Sequence, residues 1–226
     1  MPTRSAVLDH AAALLAASPT GEIATRAVCD AAGITQPVLY RQFGDKDGLL
    51  AAVVDHVWEQ YLASKRSARQ SADPVDDLRA GWANHVAFAL AHPHAYRLLF
   101  GTELSTRPEA FAEALGLLRG ILDRVAAQGR LRVAPEIAAP LVMAANSGQC
   151  LAMILRPETS PPGADLVLRD LLFGALIVDD AVGDPAAVAA TTLRATVATD
   201  TRFTPAEAGL LDDWLARFQH PVQEER

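Results

Sequence analysis

The sequence predicts an all-α protein. Apolar residues recur at three- and four-residue spacing along nearly the whole chain, no stretch keeps strand-like alternation, and Pro, Gly and Ser clusters punctuate the apolar stripes at helix-length intervals. The 226 residues allow one large domain or a small one joined to a larger one. Half of the chain is apolar and 21% is charged, which excludes a disordered polymer. With 20 Lys+Arg against 27 Asp+Glu the net charge is −7, so any nucleic-acid contact must be local rather than a polycationic coat. Cys29 and Cys150 lie far apart in apolar surroundings and read as buried thiols of a reducing compartment. Arg4, Asp9 and His10 interrupt the apolar run that a secretory signal needs, so a cytoplasmic protein is expected.

The first helix runs from Thr3 to Ala17, with Val7, Ala11 and Leu14/Leu15 on one stripe, and ends in Ser18-Pro19-Thr20-Gly21. Short helices follow over Thr25–Ala32, stopped by Gly33, and Gln36–Phe43, stopped by Gly44. Asp45 caps a fourth helix, reaching about residue 66, which carries Leu49, Leu50, Val53, Val54, Val57, Trp58 and Tyr61. Beyond Pro74, helices are predicted over roughly 75–92, 94–101, 108–129, 135–156 and 164–182. The tail adds 186–199, whose Thr and Val residues weaken helix preference, and 204–219, where Thr204 and Glu207 form a capping box. This order divides the chain into a small unit, 1–50, a connecting helix, 45–66, and a larger helical domain, 51–226. Residues 137–155 carry no charge over nearly a membrane-spanning length, but Pro140, Asn146, Ser147, Gly148 and Gln149 mark a helix buried in protein, and no membrane partner is expected.

Residues 25–50, TRAVCDAAGITQPVLYRQFGDKDGLL, hold two short helices joined by a turn of about three residues, the spacing of a helix-turn-helix. Gly33 supplies the left-handed end of the first helix, and Ile34 folds back on its apolar face. Thr35 is placed to cap the second helix, whose first turn tolerates Pro37. Leu39 and Phe43 point inward, leaving Gln36, Pro37, Tyr40 and Arg41 outside. Gln36 suits the edge of adenine and Pro37 a thymine methyl, while Tyr40 and Arg41 reach phosphates or, for Arg41, a guanine. Thr25, Arg26 and Lys46 flank this surface. Thr25 and Lys46 stand at helix starts, where free amides and the helix dipole favour a phosphate.

Residues 6–50 closely resemble the DNA-binding domain of the TetR (tetracycline-repressor) family, above all in AAGITQPVLYRQFGDKDGLL, where the Gly turn, the Leu-Tyr-x-x-Phe pattern and Asp-Lys-Asp-x-Leu-Leu fall in register. The resemblance implies an all-helical homodimer whose N-terminal three-helix unit binds a short palindrome in double-stranded DNA. It also implies a C-terminal domain that releases the DNA on binding a small molecule. It assigns Gln36 and Pro37 to bases, Tyr40 to a phosphate, Thr25 and Lys46 to the backbone, and Leu39 and Phe43 to the core. One departure is electrostatic: Arg4, Arg26, Arg41 and Lys46 face Asp9, Glu22, Asp30, Asp45 and Asp47 within residues 1–50, with no basic arm.

In the C-terminal part, Trp82, His85 and Phe88 share one helix face, Tyr96 and Phe100 the next, and Leu118 and Leu122 a third. Met143, Asn146 and Cys150 add sulfur and a few polar groups, a mixture that suits either a filled core or a pocket for an apolar or amphipathic effector. His85, His92 and His94 lack a carboxylate or thiol at ligand spacing, so no metal is expected, and no cofactor. Residues 166–178, LVLRDLLFGALIV, are apolar around most of the helix. They call for cover on several sides, either from the tail or from a second subunit, which 135–156 and 164–182 would then meet in a four-helix packing.

The expected function is a ligand-responsive repressor. No nucleophile with its base, phosphate-binding Gly loop or paired Glu-x-x-His motif supports an enzyme. The other reading is a helical interaction protein that kept the domain shape without binding DNA.

Overall fold

The computed structural model describes residues 2–106, 108–178 and 185–219. Its helices are α1 (Arg4–Ala17), α2 (Thr25–Ala32), α3 (Gln36–Phe43), α4 (Lys46–Ser67), α5 (Pro74–Ala91), α6 (Pro93–Phe100), α7 (Ala110–Ala127), α8 (Pro135–Leu155), α9 (Ala164–Leu176), α10 (Pro185–Val197) and α11 (Pro205–Ala216). Short 3-10 turns occupy Pro157–Thr159 and Arg217–Gln219, and among the described residues there is no strand beyond one isolated bridge. The all-α expectation holds, with most boundaries within one or two residues. Two differ by more: the helix expected over 204–219 gives way to a 3-10 turn after Ala216, and the helix expected over 164–182 ends at Leu176. There the chain turns extended, Ile177 pairs with Leu131, Arg132 N–H donates to the Leu176 carbonyl (2.8 Å), and Val178 N–H donates to the Arg130 carbonyl (3.0 Å). Residues 179–182 of that prediction lie outside the described residues.

The chain forms two compact units. One takes Met1–Arg69, Asn84–Ala114 and Ser147–Pro161; the other takes Gln70–Ala83, Leu115–Asn146 and Pro162–Arg226. In the first, Val7, Leu8, Ala11 and Leu15 of α1 pack with Val28 and Cys29 of α2, Leu39 and Phe43 of α3 and Leu49, Leu50 and Val53 of α4. Leu14 sits beside this stripe half-buried. Ala95 of α6 and Leu104 beyond it belong to the same core, so the small N-terminal bundle is completed by residues far along the chain. Removing its apolar surface from water, at about 25 cal/mol per Å², is what holds these short helices, since eight-residue helices are marginal alone.

In the second unit, the Asp77 carboxylate receives Arg124 (2.5 Å) and the Ser71 N–H (3.1 Å), while Arg124 also donates to the Ser71 carbonyl (2.7 Å). Arg194 of α10 binds Asp212 of α11 (2.7 Å) and Glu136 of α8 (2.7 Å). The Thr204 capping box forms: its N–H donates to Glu207 Oε2 (2.8 Å) and the Glu207 N–H returns to its hydroxyl (3.4 Å). By length and composition α8 is long and apolar enough to cross a membrane, yet Asn146 and Ser147 are buried in its middle and Pro140 stands within it. Its Ile137 and Leu141, and Leu166, Val167 and Leu171 of α9, remain 44–69% exposed.

Candidate nucleic-acid interface

The turn between α2 and α3 is set by Gly33, whose φ of 65° few side chains tolerate. The N–H groups of Gly33 and Ile34 both donate to the Cys29 carbonyl, and Ile34 packs half-buried against the core. This is the helix ending that the sequence calls for. Thr35 does precede α3 in extended conformation, but its side chain makes no capping hydrogen bond, against expectation. The α3 amides are therefore positioned by the turn and by Pro37 in the first helical turn, not by a hydroxyl.

Leu39 and Phe43 anchor α3, the first wholly buried and the second nearly so. One helical face is thereby consumed, and the opposite one carries exposed Gln36, Pro37, Tyr40 and Arg41, with Tyr40 39% exposed. Arg26 and Lys46 are exposed beside it near the starts of α2 and α4, and Thr25 is half-buried as the first residue of α2. All seven predicted residues thus lie in the first unit, with α3 presenting four of them outward.

The acidic residues around Lys46 are less available than the sequence suggests. Asp45 accepts the Gly48 N–H (2.7 Å) as the cap of α4. Asp47 accepts the backbone N–H (3.0 Å) and hydroxyl (2.8 Å) of Ser105, which hold its carboxyl below the usual carboxylate range. Asp9 is engaged by His56 (2.7 Å). Arg4 lies 4.8 Å from the Phe43 ring centre, bracing α3 from behind.

The residues expected to hold an effector divide between the units. In the first, His85, Phe88, Tyr96 and Phe100 gather around wholly buried Trp58, with ring centres 4.6 to 5.9 Å from it. His85 Nδ1 lies 3.0 Å from the Tyr61 hydroxyl and Nε2 2.7 Å from that of Tyr96, which also meets the buried Cys150 thiol. Burial drives the His85 pKa down to about 3, so the ring is neutral, with one nitrogen accepting and the other donating. The same burial raises both tyrosines above their ordinary value. Trp82, Leu118, Leu122, Met143 and Asn146 fall in the second unit, where the Asn146 amide reaches the Trp82 carbonyl (3.5 Å). The sequence reading missed Trp58 and Tyr61 as members of the cluster; their i, i+3 spacing on α4 was the available sign. A separate cleft of about 530 Å³ in the first unit is walled by α1, α4, α5 and α6, and of the predicted effector residues Phe88 lines it. Among the described residues no group of three or more His, Cys, Asp or Glu is arranged to hold a metal.

A glycine-turned pair of short helices with one exposed face, locked on a third helix, defines a helix-turn-helix protein. Residues 7–53 match the family described as bacterial regulatory proteins, tetR family. A stretch of 99 residues is 29% identical to the HTH-type transcriptional activator FasR of Mycolicibacterium smegmatis, covering 43% of this chain and 45% of the relative's length. In fold, the chain resembles SmeT, the repressor of the Stenotrophomonas maltophilia multidrug efflux pump SmeDEF (TM-score 0.61, 23% identity, 82% of this chain and 95% of that one). It also resembles NalD, the secondary repressor of the MexAB-OprM multidrug efflux pump in Pseudomonas aeruginosa (TM-score 0.54, 20% identity, 78% and 96%). SmeT is also known as a complex with triclosan (TM-score 0.59, 22% identity, 80% and 95%).

Proposed function

We propose that the protein is a ligand-responsive transcriptional repressor that binds a palindromic operator as a homodimer and is released by a small apolar or amphipathic molecule. The outward face of α3 carries this reading: Gln36, Pro37, Tyr40 and Arg41 are exposed together while Leu39 and Phe43 are buried. A two-turn helix so anchored suits a major groove, with Gln36 and Pro37 at base edges and Tyr40, Arg41, Thr25, Arg26 and Lys46 at or near phosphates. The exposed apolar faces of α8 and α9, Ile137 and Leu141 on one and Leu166, Val167 and Leu171 on the other, support a second copy as their cover. Two copies would set recognition helices about 34–36 Å apart, one turn of duplex. The descriptions of SmeT and NalD as repressors support repression, and that of SmeT with triclosan supports the binding of a small molecule. In the first unit the effector would draw on His85, Phe88, Tyr96, Phe100 or Cys150; Trp82, Leu118, Leu122, Met143 and Asn146 form a separate candidate lining within the second. The FasR relative is named an activator, which supports activation as the second reading.

Selection of bound fragments from a random duplex library tests the proposal. A two-fold symmetric motif is expected, and recovery of no enriched sequence by a folded dimer would overturn it. Transcription from a promoter carrying the recovered motif then separates repression from activation.

A further inference from the structure

The cleft walled by α1, α4, α5 and α6 differs from the buried aromatic cluster in having an aliphatic wall, a ring-stacked wall and a polar edge. Ala12, Leu15 and Ala16 of α1 form the first. Tyr61, Phe88 and His92 form the second, with successive ring centres 4.6 and 4.7 Å apart and interplanar angles of 31° and 38°. An aliphatic wall facing stacked rings suits an aromatic occupant, and about 530 Å³ lies within the ordinary size of small-molecule sites.

Its polar edge is made by His56, Gln60 and His94, and no Lys, Arg, Asp or Glu is among the described residues that line it. No lining residue supplies a counter-charge to a charged ligand; the charges behind the lining are Asp9, held by His56, and Lys65, 4.9 Å from the Tyr61 ring centre. His56 presents Nε2 to the Asp9 carboxylate at 2.7 Å, so that nitrogen donates and Nδ1 is the ring atom left for other partners. His94 Nδ1 is buried with no hydrogen-bond partner among the described residues, packed against Gly21, where a β-carbon would stand 2.7 Å away. An orphaned lone pair is tolerated better than an orphaned N–H, which leaves the His94 proton on Nε2. The edge therefore offers a donor, an amide that both donates and accepts, and the remaining ring nitrogen of His56.

We infer that this cleft is a binding site for an uncharged, flat aromatic molecule bearing a hydroxyl group, with the rings of Tyr61, Phe88 and His92 on one side and α1 on the other. The inference rests on the ligand-responsive reading for its consequence, and moves the effector from the deep aromatic cluster to a site that includes the first helix of the DNA-binding unit. Because α1 shares the core of α2 and α3, an occupant that displaces α1 displaces the recognition helix with it.

Calorimetric titration of the full-length protein with naphthol, naphthalene and naphthoate tests the site. Naphthol is expected to bind once per chain, with naphthalene and naphthoate about tenfold weaker, the loss corresponding to one or two hydrogen bonds or an unpaired charge. Ala16→Trp and Ala91→Trp, both at exposed positions, fill the cleft and should each abolish saturable binding while circular dichroism still reports a cooperative melt. Should either fail to fold, Gln60→Leu serves instead, and should lower the preference for naphthol over naphthalene. Failure of naphthol to bind, naphthoate binding as tightly as naphthol, or wild-type affinity in both folded tryptophan variants would overturn the inference. If naphthol binds with the expected pattern but leaves operator affinity unchanged, the site stands and the ligand-responsive reading falls.

Discussion

Phe43 and Gly48 approach so closely that a β-carbon on residue 48 would stand 2.0 Å from the Phe43 carbonyl oxygen. The close approach turns the end of α3 directly into α4, with Asp45 capping the new helix between them. The angle between α3 and α4 is thus set by the absence of a side chain. Gly48→Ala must push the Phe43 carbonyl away, at about 1–3 kcal/mol of overpacking. Urea unfolding should show that loss, and operator affinity should fall with it although the glycine has no side chain to offer a duplex; an unchanged unfolding midpoint would contradict the close packing.

Side chains on α3 should separate into two classes. Tyr40→Ala is expected to weaken binding to every duplex about equally, whereas Gln36→Ala changes the order of preference by about 1–3 kcal/mol at one base pair. Lys46→Gln should lower the slope of log affinity against log salt by about 0.9 per subunit. Gel shifts with a panel of single-base operator variants at several salt concentrations distinguish these outcomes. Uniform effects from both Tyr40→Ala and Gln36→Ala would refute the assignment.

Buried His85 makes stability depend on pH. Its folded-state pKa, about 3, lies below the ordinary histidine value near 6.5, so between these values the unfolded chain binds a proton that the folded chain refuses. Its contribution is complete above about pH 6.5 and declines by about 1.4 kcal/mol per pH unit as the pH falls toward 3. Urea midpoints measured from pH 7 to pH 5 should fall in the wild type and fall less in His85→Gln.

Tyr96→Phe removes the partner of His85 Nε2 at 2.7 Å and leaves a buried imidazole nitrogen unsatisfied. A loss of about 1–3 kcal/mol is expected, against a negligible volume change. The same substitution made together with His85→Leu should cost less than the sum of the two, because the orphan is then gone.

If α8 and α9 meet a second copy, Leu171→Arg should place a charge in the interface. Leu171 is 69% exposed in the single chain, so its own folding has little to lose. Sedimentation equilibrium should shift from dimer to monomer, and operator affinity should fall with the loss of the second half-site; a monomeric wild type would remove the basis of the prediction.

The helix-turn-helix was readable because its determinants are local. A glycine after an eight-residue apolar pattern, a proline in the next first turn and two apolar residues four apart fix which face of α3 is buried whatever surrounds it. The same local logic found the Asp45 cap and the Thr204 box. It failed at Thr35, where a suitable residue stands at the cap position but its hydroxyl makes no capping bond. At residue 177 the apolar run continues but pairing with Leu131 draws the backbone out of the helix.

By itself the amino-acid order determined an all-helical chain, the helix-turn-helix and the outward side chains of α3, since these depend on spacings of one to four residues. Tertiary structure alone decided that Trp58 and Tyr61 join His85 and Tyr96, that Asp47 is occupied by Ser105, and that α1 helps wall a cleft with α4, α5 and α6. Those relations join residues 24 to 58 positions apart and more, where helix periodicity shows that a side chain turns inward but not which neighbour it meets.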